Sequence, residues 1–123
     1  MPVIALIIAT FAAVLQVWIF ALESILWTRP EVWGRVGVKS QDEADAVSRH
    51  VFNQGFFNLF LALGLFAGLI MGHSRGGHAI VAFCCLSIVG AAIVLATMGK
   101  AYLRPALLQG ILPTLTLVAA LVL

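Results

Sequence analysis

The chain has 123 residues, of which 63% are hydrophobic and only 10% are charged. A soluble domain usually carries about 25% charged residues. With a mean hydropathy of +1.11, the composition excludes an ordinary soluble domain and predicts an integral membrane protein whose surroundings are the lipid bilayer. The formal net charge of +2 is small and the basic residues are scattered, so we expect no nucleic-acid partner.

Four stretches are long and apolar enough to cross a membrane, since a helical crossing needs about 20 residues. They run from Pro2 to Trp27, from Val51 to Met71, from Ala79 to Met98 and from Pro105 to Leu123. These stretches leave one sizeable loop and no room for a soluble domain. We therefore predict an all-α fold, a bundle of four transmembrane helices that forms one domain over residues 1–123.

The first stretch should end at Arg29-Pro30, because the residue before a proline avoids the helical conformation. After a long loop, Ser40-Gln41-Asp42-Glu43 has the pattern of a capping box with Ser40 as the cap. We therefore predict that the second helix begins near Ser40 and continues unbroken to about Gly72. Roughly 32 residues give a helix of ~48 Å, which is longer than the hydrocarbon core, so its first three turns should extend into the cytoplasm.

The basic residues predict an orientation. One side of the bundle carries six of them: Arg29, Arg35, Lys39, Arg49, Lys100 and Arg104. The opposite side has Arg75 and the amino terminus. The positive-inside bias therefore places the long loop in the cytoplasm and both chain ends outside, in the inner or plasma membrane. Trp27 and Trp33 fit an aromatic belt at the cytoplasmic interface.

Polar side chains interrupt three of the four stretches, although such groups are costly in hydrocarbon. Glu23 lies late in the first stretch, Asn53, Gln54 and Asn58 lie early in the second, and Gln109 lies early in the fourth. All of these residues are close to the predicted cytoplasmic boundary of the membrane, so three separate helices place them at one depth. We predict a cytoplasm-facing polar pocket. Its binding residues are Glu23, Asn53, Gln54, Asn58 and Gln109, and its rim consists of Arg49, Lys100 and Arg104.

Three short segments resemble the signature stretches of domain of unknown function 1304, a family of small four-span membrane proteins. They are Leu22-Glu23-Ser24-Ile25-Leu26-Trp27, Asn53-Gln54-Gly55-Phe56-Phe57-Asn58, and Gln109-Gly110 followed by Pro113. The resemblance covers nearly the whole chain and implies four spans and a polar cluster, but no established activity. The family often has a histidine seven residues before the glutamate, where this chain has Gln16, on the same helical face as Glu23.

An ionisable side chain inside a membrane is by default a functional hypothesis. We expect a module that binds or transports a small lipophilic or cationic molecule, with Glu23 as the titrating centre. Whether the protein is an enzyme stays open, because Glu23 could be the general acid or base for a lipid-soluble substrate that the amides orient. For Asn53, Gln54 and Asn58, interhelical hydrogen bonding is an equally good reading.

Gly64, Gly68 and Gly72 recur every four residues, which is typical of closely packed membrane helices. Packing within one bundle is the simpler expectation. The alternative is a homo-oligomer face, and with it a structural or assembly subunit. His73 and His78 flank a turn without a third ligand, and the adjacent Cys84 and Cys85 point in different directions on a helix. We therefore expect no metal and no cofactor.

Overall fold

The computed structural model describes all residues, Met1–Leu123, and contains helices but no strand. The first helix, α1, covers Val3–Phe20 and continues as a π-helical turn, Ala21–Ile25. The remaining elements are α2 Pro30–Trp33, the 3₁₀ turn Gly34–Val36, α3 Gln41–Ile70, α4 Arg75–Ala96, the 3₁₀ turn Lys100–Tyr102 and α5 Leu103–Val122. Four helices, all but α2, are long and apolar enough to cross a membrane. The predicted all-α bundle is confirmed.

The four long helices form a square in which α1 and α4 each pack on both α3 and α5. The largest buried cluster consists of small or branched side chains: Ala9, Ala12, Ala13, Leu65, Val81, Cys84, Cys85 and Ile88. Small side chains let the helix backbones approach closely, which stabilises bundles in lipid. Large apolar side chains such as Phe57, Phe60 and Phe83 are exposed on the outside. Such a surface suits contact with lipid chains rather than with water.

The predicted long second helix is present as α3, whose 30 residues run without interruption. The Ser40 hydroxyl accepts a hydrogen bond from the backbone N–H of Glu43 at 3.1 Å, so Ser40 caps the helix as expected. At 1.5 Å per residue α3 is about 45 Å long, well beyond the ~30 Å of a hydrocarbon core.

The glycine stripe of α3 packs against α4 within the same chain. A Cβ on Gly64 would lie 2.7 Å from Sγ of Cys84, and one on Gly68 would lie 2.9 Å from the carbonyl oxygen of Gly77. These positions therefore have no room for a larger side chain. Gly72 has a different role, because its φ of +67° is a left-handed conformation at the end of α3 that favours glycine. A homo-oligomer through these glycines stays a prediction.

The segment between α1 and α3 folds onto the first turns of α3. Trp27 is buried against Ala44 and Val51, and its indole Nε1 donates a hydrogen bond to the carbonyl oxygen of Ala44 at 3.0 Å. Val32 and Trp33 pack against the same cluster, together with Val36 and Val38. Trp27 therefore packs inside the protein instead of facing lipid headgroups, as a residue of the predicted aromatic belt would.

Candidate functional site

Glu23 lies at the centre of the π-helical turn that ends the first spanning helix. The backbone N–H of Leu26 donates to the carbonyl oxygen of Ala21, five residues back, at 2.8 Å. A π turn inside a helix is rare and frequently occurs at a functional site. The sequence does not predict this turn, because its residues contain no proline or glycine that would indicate a departure from α-helix.

Asn58 on α3 is the hydrogen-bond partner of Glu23. Its side-chain Nδ2 donates to Oε1 of the carboxylate in a short bond. Asn58 is buried, with 8% of its surface exposed, whereas Glu23 is half-buried. The Asn58 amide thus donates to Oε1 alone, and Oε2 of Glu23 has no hydrogen-bond donor from the protein. That second oxygen is available to a proton or a ligand.

Gly55 allows α3 to approach the π turn closely. A Cβ at this position would collide with the Ser24 hydroxyl and would lie 3.1 Å from Cβ of Glu23. The Ser24 hydroxyl in turn donates a hydrogen bond to the carbonyl oxygen of Phe52 at 2.8 Å. The missing side chain of Gly55 and the Ser24 bond together fix the distance between the two helices at the level of Glu23.

Glu23 opens into a groove of about 310 Å³ between the π turn and α3. The groove is lined by Glu23, Ser24, Ile25, Trp27, Thr28, Ser48, Arg49 and Phe52. Arg49, predicted at the rim, is one of these lining residues and is exposed. The groove therefore combines one half-buried carboxylate, one exposed guanidinium and several hydroxyl groups with an aromatic wall. It can hold a small molecule that has a polar group and an apolar body.

Asn53 and Gln54 do not join Glu23. Both side chains are exposed and neither makes a hydrogen bond to another residue. Asn53 lies about 140° around the helix from Asn58, so it faces away from α1. Gln54 is only about 40° from Asn58, but it lies one turn closer to the end of the bundle, where its side of α3 is uncovered. The predicted row of three amides is thus reduced to one buried member, Asn58.

Gln109 lies at the depth of Glu23 but is not bonded to it. The contact between Gly64 of α3 and Cys84 of α4 serves as a reference level. Along α4, the contact of Ala92 with Gly110 lies eight residues from this level, or about 12 Å. The contact of Gly55 with Glu23 lies nine residues along α3 in the same direction, or about 14 Å. The two contacts therefore lie at a similar level of the bundle. Gln109, next to Gly110, is half-buried and forms no hydrogen bond to Glu23 or Asn58, and its place in the polar pocket stays a prediction.

Lys100 and Arg104, the other predicted rim residues, are exposed and do not line the groove at Glu23. They lie on the connection between α4 and α5, at the start of α5. They therefore lie apart from the lining of the groove beside Arg49, which forms between the π turn and α3, and their place at its rim stays a prediction. This position leaves them next to a different surface, the contact between α4 and α5.

Gln16 is the most deeply buried amide of the chain, with 1% of its surface exposed, and its Oε1 has no hydrogen-bond partner. Thr116 is also fully buried, but its hydroxyl donates to the carbonyl oxygen of Leu112 within α5 at 3.0 Å. Gln16 lies two turns from Glu23 on the same helix. A buried hydrogen-bond acceptor without a donor is uncommon in proteins, so Gln16 is an exception in the interior of this bundle.

These features define an integral membrane protein with four spanning helices and one carboxylate held between the first two of them. The particular family follows from comparison with known proteins. The chain matches DUF1304, described as a protein of unknown function, over residues 10–121. It therefore belongs to this family, as the signature stretches predicted. No curated protein and no solved structure matches the chain.

Proposed function

We propose that the protein binds or transports a small lipophilic or cationic molecule, with Glu23 as the titrating centre of the site. The observation that carries this proposal is the Glu23 carboxylate itself, which is bonded through Oε1 to Asn58 and belongs to a residue that lines the groove. The other four acidic residues, Glu31, Asp42, Glu43 and Asp45, are all exposed in the loop or in the first turns of α3. Only Glu23 combines a carboxylate with partial burial among spanning helices.

The chemistry of the groove favours a cation or a hydrogen-bond donor as the ligand. The free carboxylate oxygen accepts a proton or a charged donor, and a charge-assisted hydrogen bond is stronger than a neutral one. Trp27 and Phe52 supply aromatic walls, which suit an apolar body or an organic cation. Because Asn58 donates to Oε1, a proton or a ligand donor can occupy Oε2 while this bond is kept.

The charge distribution supports one orientation of the site in the membrane. Six basic residues lie in the segments around the groove end of the bundle, whereas Arg75 lies near the turn at the other end. We therefore infer that the groove opens to the cytoplasm, that the first turns of α3 extend there, and that both chain ends lie outside the inner or plasma membrane. In a variant with Cys84 and Cys85 replaced by serine, a membrane-impermeant maleimide should label His73→Cys, but not Glu31→Cys, in intact cells.

The test of the proposed function uses tetraphenylphosphonium as the probe cation. Purified protein is placed in vesicles that contain a pH-sensitive dye, and the probe is added outside. The wild-type protein should exchange protons for the probe, and Glu23→Gln should abolish the exchange because the neutral amide releases no proton. Glu31→Gln removes an exposed carboxylate and should leave the exchange unchanged. Undiminished exchange in Glu23→Gln would remove the carboxylate from the mechanism.

The same variants separate binding from transport. Tetraphenylphosphonium bound in the groove should quench the fluorescence of Trp27, because Trp27 lines that groove. Quenching without proton exchange would indicate a binding module rather than a transporter. A chemical change in a lipid-soluble molecule, seen in detergent without any gradient, would indicate the alternative of a membrane enzyme.

A further inference from the structure

A second groove lies on the outside of the bundle, between α4 and α5. It has a volume of about 410 Å³ and is lined almost entirely by apolar side chains. The only polar side chain in its lining, Thr114, donates its hydroxyl to the carbonyl oxygen of Gly110 at 2.7 Å and is therefore satisfied. The groove thus offers no hydrogen bond to a ligand and suits a hydrocarbon chain.

The length of this groove matches one leaflet of a bilayer. On α5 its lining extends from Leu103 to Leu115, which are twelve positions and therefore about 18 Å apart along the helix. Half of a hydrocarbon core is about 15 Å. The groove begins at the connection between α4 and α5, where Leu103 lines its end. An acyl chain that enters from this side would fill the groove to about the middle of the membrane.

Positive charge lies at the same end of the groove. Lys100 is exposed on the connecting turn and Arg104 is exposed one residue after Leu103. Arg104 shares a helical face with Ile111 and Leu115, which follow it by seven and eleven residues, close to two and three full turns. No acidic residue occurs anywhere after Asp45. The two cations therefore have no carboxylate on α4 or α5 to neutralise them.

From this juxtaposition we propose that α4 and α5 form a binding site for an anionic phospholipid. One acyl chain occupies the groove from Leu103 to Leu115, and the headgroup phosphate lies against Lys100 and Arg104. Basic residues at the membrane surface between spanning helices commonly bind anionic headgroups. This site is separate from the groove at Glu23, and it does not depend on the function proposed for that carboxylate.

The test compares phosphatidylglycerol with phosphatidylcholine of the same acyl chains, by native mass spectrometry of the purified protein. A basic residue near an anionic lipid surface contributes about 1 kcal/mol, which is about fivefold in affinity. Phosphatidylglycerol should therefore bind roughly 25-fold more tightly. Lys100→Gln and Arg104→Gln should each lower that preference about fivefold, and the double variant should remove it. The control Lys39→Gln/Arg75→Gln has the same net charge as the double variant and should keep the preference for phosphatidylglycerol.

A second pair of variants tests the acyl chain. Leu107→Phe fills the groove and should weaken both phospholipids at least threefold, whereas Ala91→Phe, exposed on α4 but outside the groove, should weaken neither. Glycerophosphoglycerol, which has the headgroup without acyl chains, should not compete. The proposal is overturned by equal binding of the two lipids, by a preference that survives the double variant, or by competition from the soluble headgroup. Dimers that retain no lipid would show a second copy in the groove and would overturn it as well.

Discussion

The side-chain amide of Asn58 on α3 donates to the carboxylate of Glu23 in the π turn that ends the first spanning helix, and this is the one hydrogen bond that joins side chains of two spanning helices. Its neighbours Asn53 and Gln54 on the same helix make no such bond and are exposed. Glu23 is therefore held by a single amide, and the strength of that bond can be measured without interference from the others.

A double-mutant cycle on Glu23→Ala and Asn58→Ala should give a coupling of about 1 to 2 kcal/mol in the free energy of unfolding, near the upper end for interhelical bonds in membranes. The carboxylate makes this bond stronger than a bond between neutral groups. Unfolding by sodium dodecyl sulfate in mixed micelles provides the measurement. Asn53→Ala is the matched control, because it removes the same side chain from an exposed site and should change stability by less than about 0.5 kcal/mol. A coupling near zero would contradict the bond.

Gly55→Ala should destabilise the protein by about 1–3 kcal/mol, because the added methyl group meets Ser24 and the backbone of the π turn has to move. The same displacement breaks the hydrogen bond from Ser24 to Phe52. Thermal unfolding in detergent measures the loss. Gly90→Ala is the control, because nothing lies within 4 Å of a Cβ there. That change should stabilise α4 by about 0.5–1 kcal/mol, so equal effects at the two glycines would contradict the close approach.

Gln16→Leu should raise the free energy of unfolding by about 1 kcal/mol, because it replaces a buried, unpartnered acceptor with an apolar side chain of similar size. Thr116→Val should change stability much less, since the Thr116 hydroxyl already donates to its own helix. Both variants can be compared in the same unfolding assay. Destabilisation by Gln16→Leu would mean that Gln16 has a hydrogen-bond donor, such as a buried water molecule, which its removal leaves unpaired.

Trp27→Phe should open the segment between α1 and α3 to proteases. The indole Nε1 of Trp27 donates to Ala44, and its loss costs about 1 kcal/mol together with part of the packing of this small cluster. Trypsin should then cut faster after Arg35 or Lys39. Trp33→Phe is the control, because Nε1 of Trp33 has no hydrogen-bond partner. Equal cleavage of both variants would show that the Trp27 bond does not hold the segment in place.

The chain's helices are predictable from composition, because lipid allows few alternatives to a spanning helix. Four apolar stretches and the Ser40 cap were enough to predict the bundle and the length of α3. The packing of the long loop is harder to predict from the sequence. Val32, Trp33 and Val36 pack against α3 only because the tertiary structure brings its first turns beside them.

The site was predictable in depth but only partly in direction. Distance along a helix follows directly from residue number, so the sequence predicts that Glu23 and Gln109 lie at one level. Which amide faces Glu23 depends on how α3 is rotated about its axis, and that rotation is set by the close contact at Gly55. The sequence of α3 alone therefore could not separate Asn58, which bonds to Glu23, from the exposed Asn53 and Gln54.

The π turn has a consequence for the length of the first spanning helix. It accommodates one residue more than an α-helical turn would. This extra residue determines the direction in which the side chains of the following segment point. Removing one residue from Ala21–Ile25 would rotate the next segment by about 100° and shift it by about 1.5 Å. Trp27 would then turn away from Ala44. Insertions and deletions should be tolerated far less here than at residues 97–99, which are all exposed between α4 and the next 3₁₀ turn and where the chain can adjust its path.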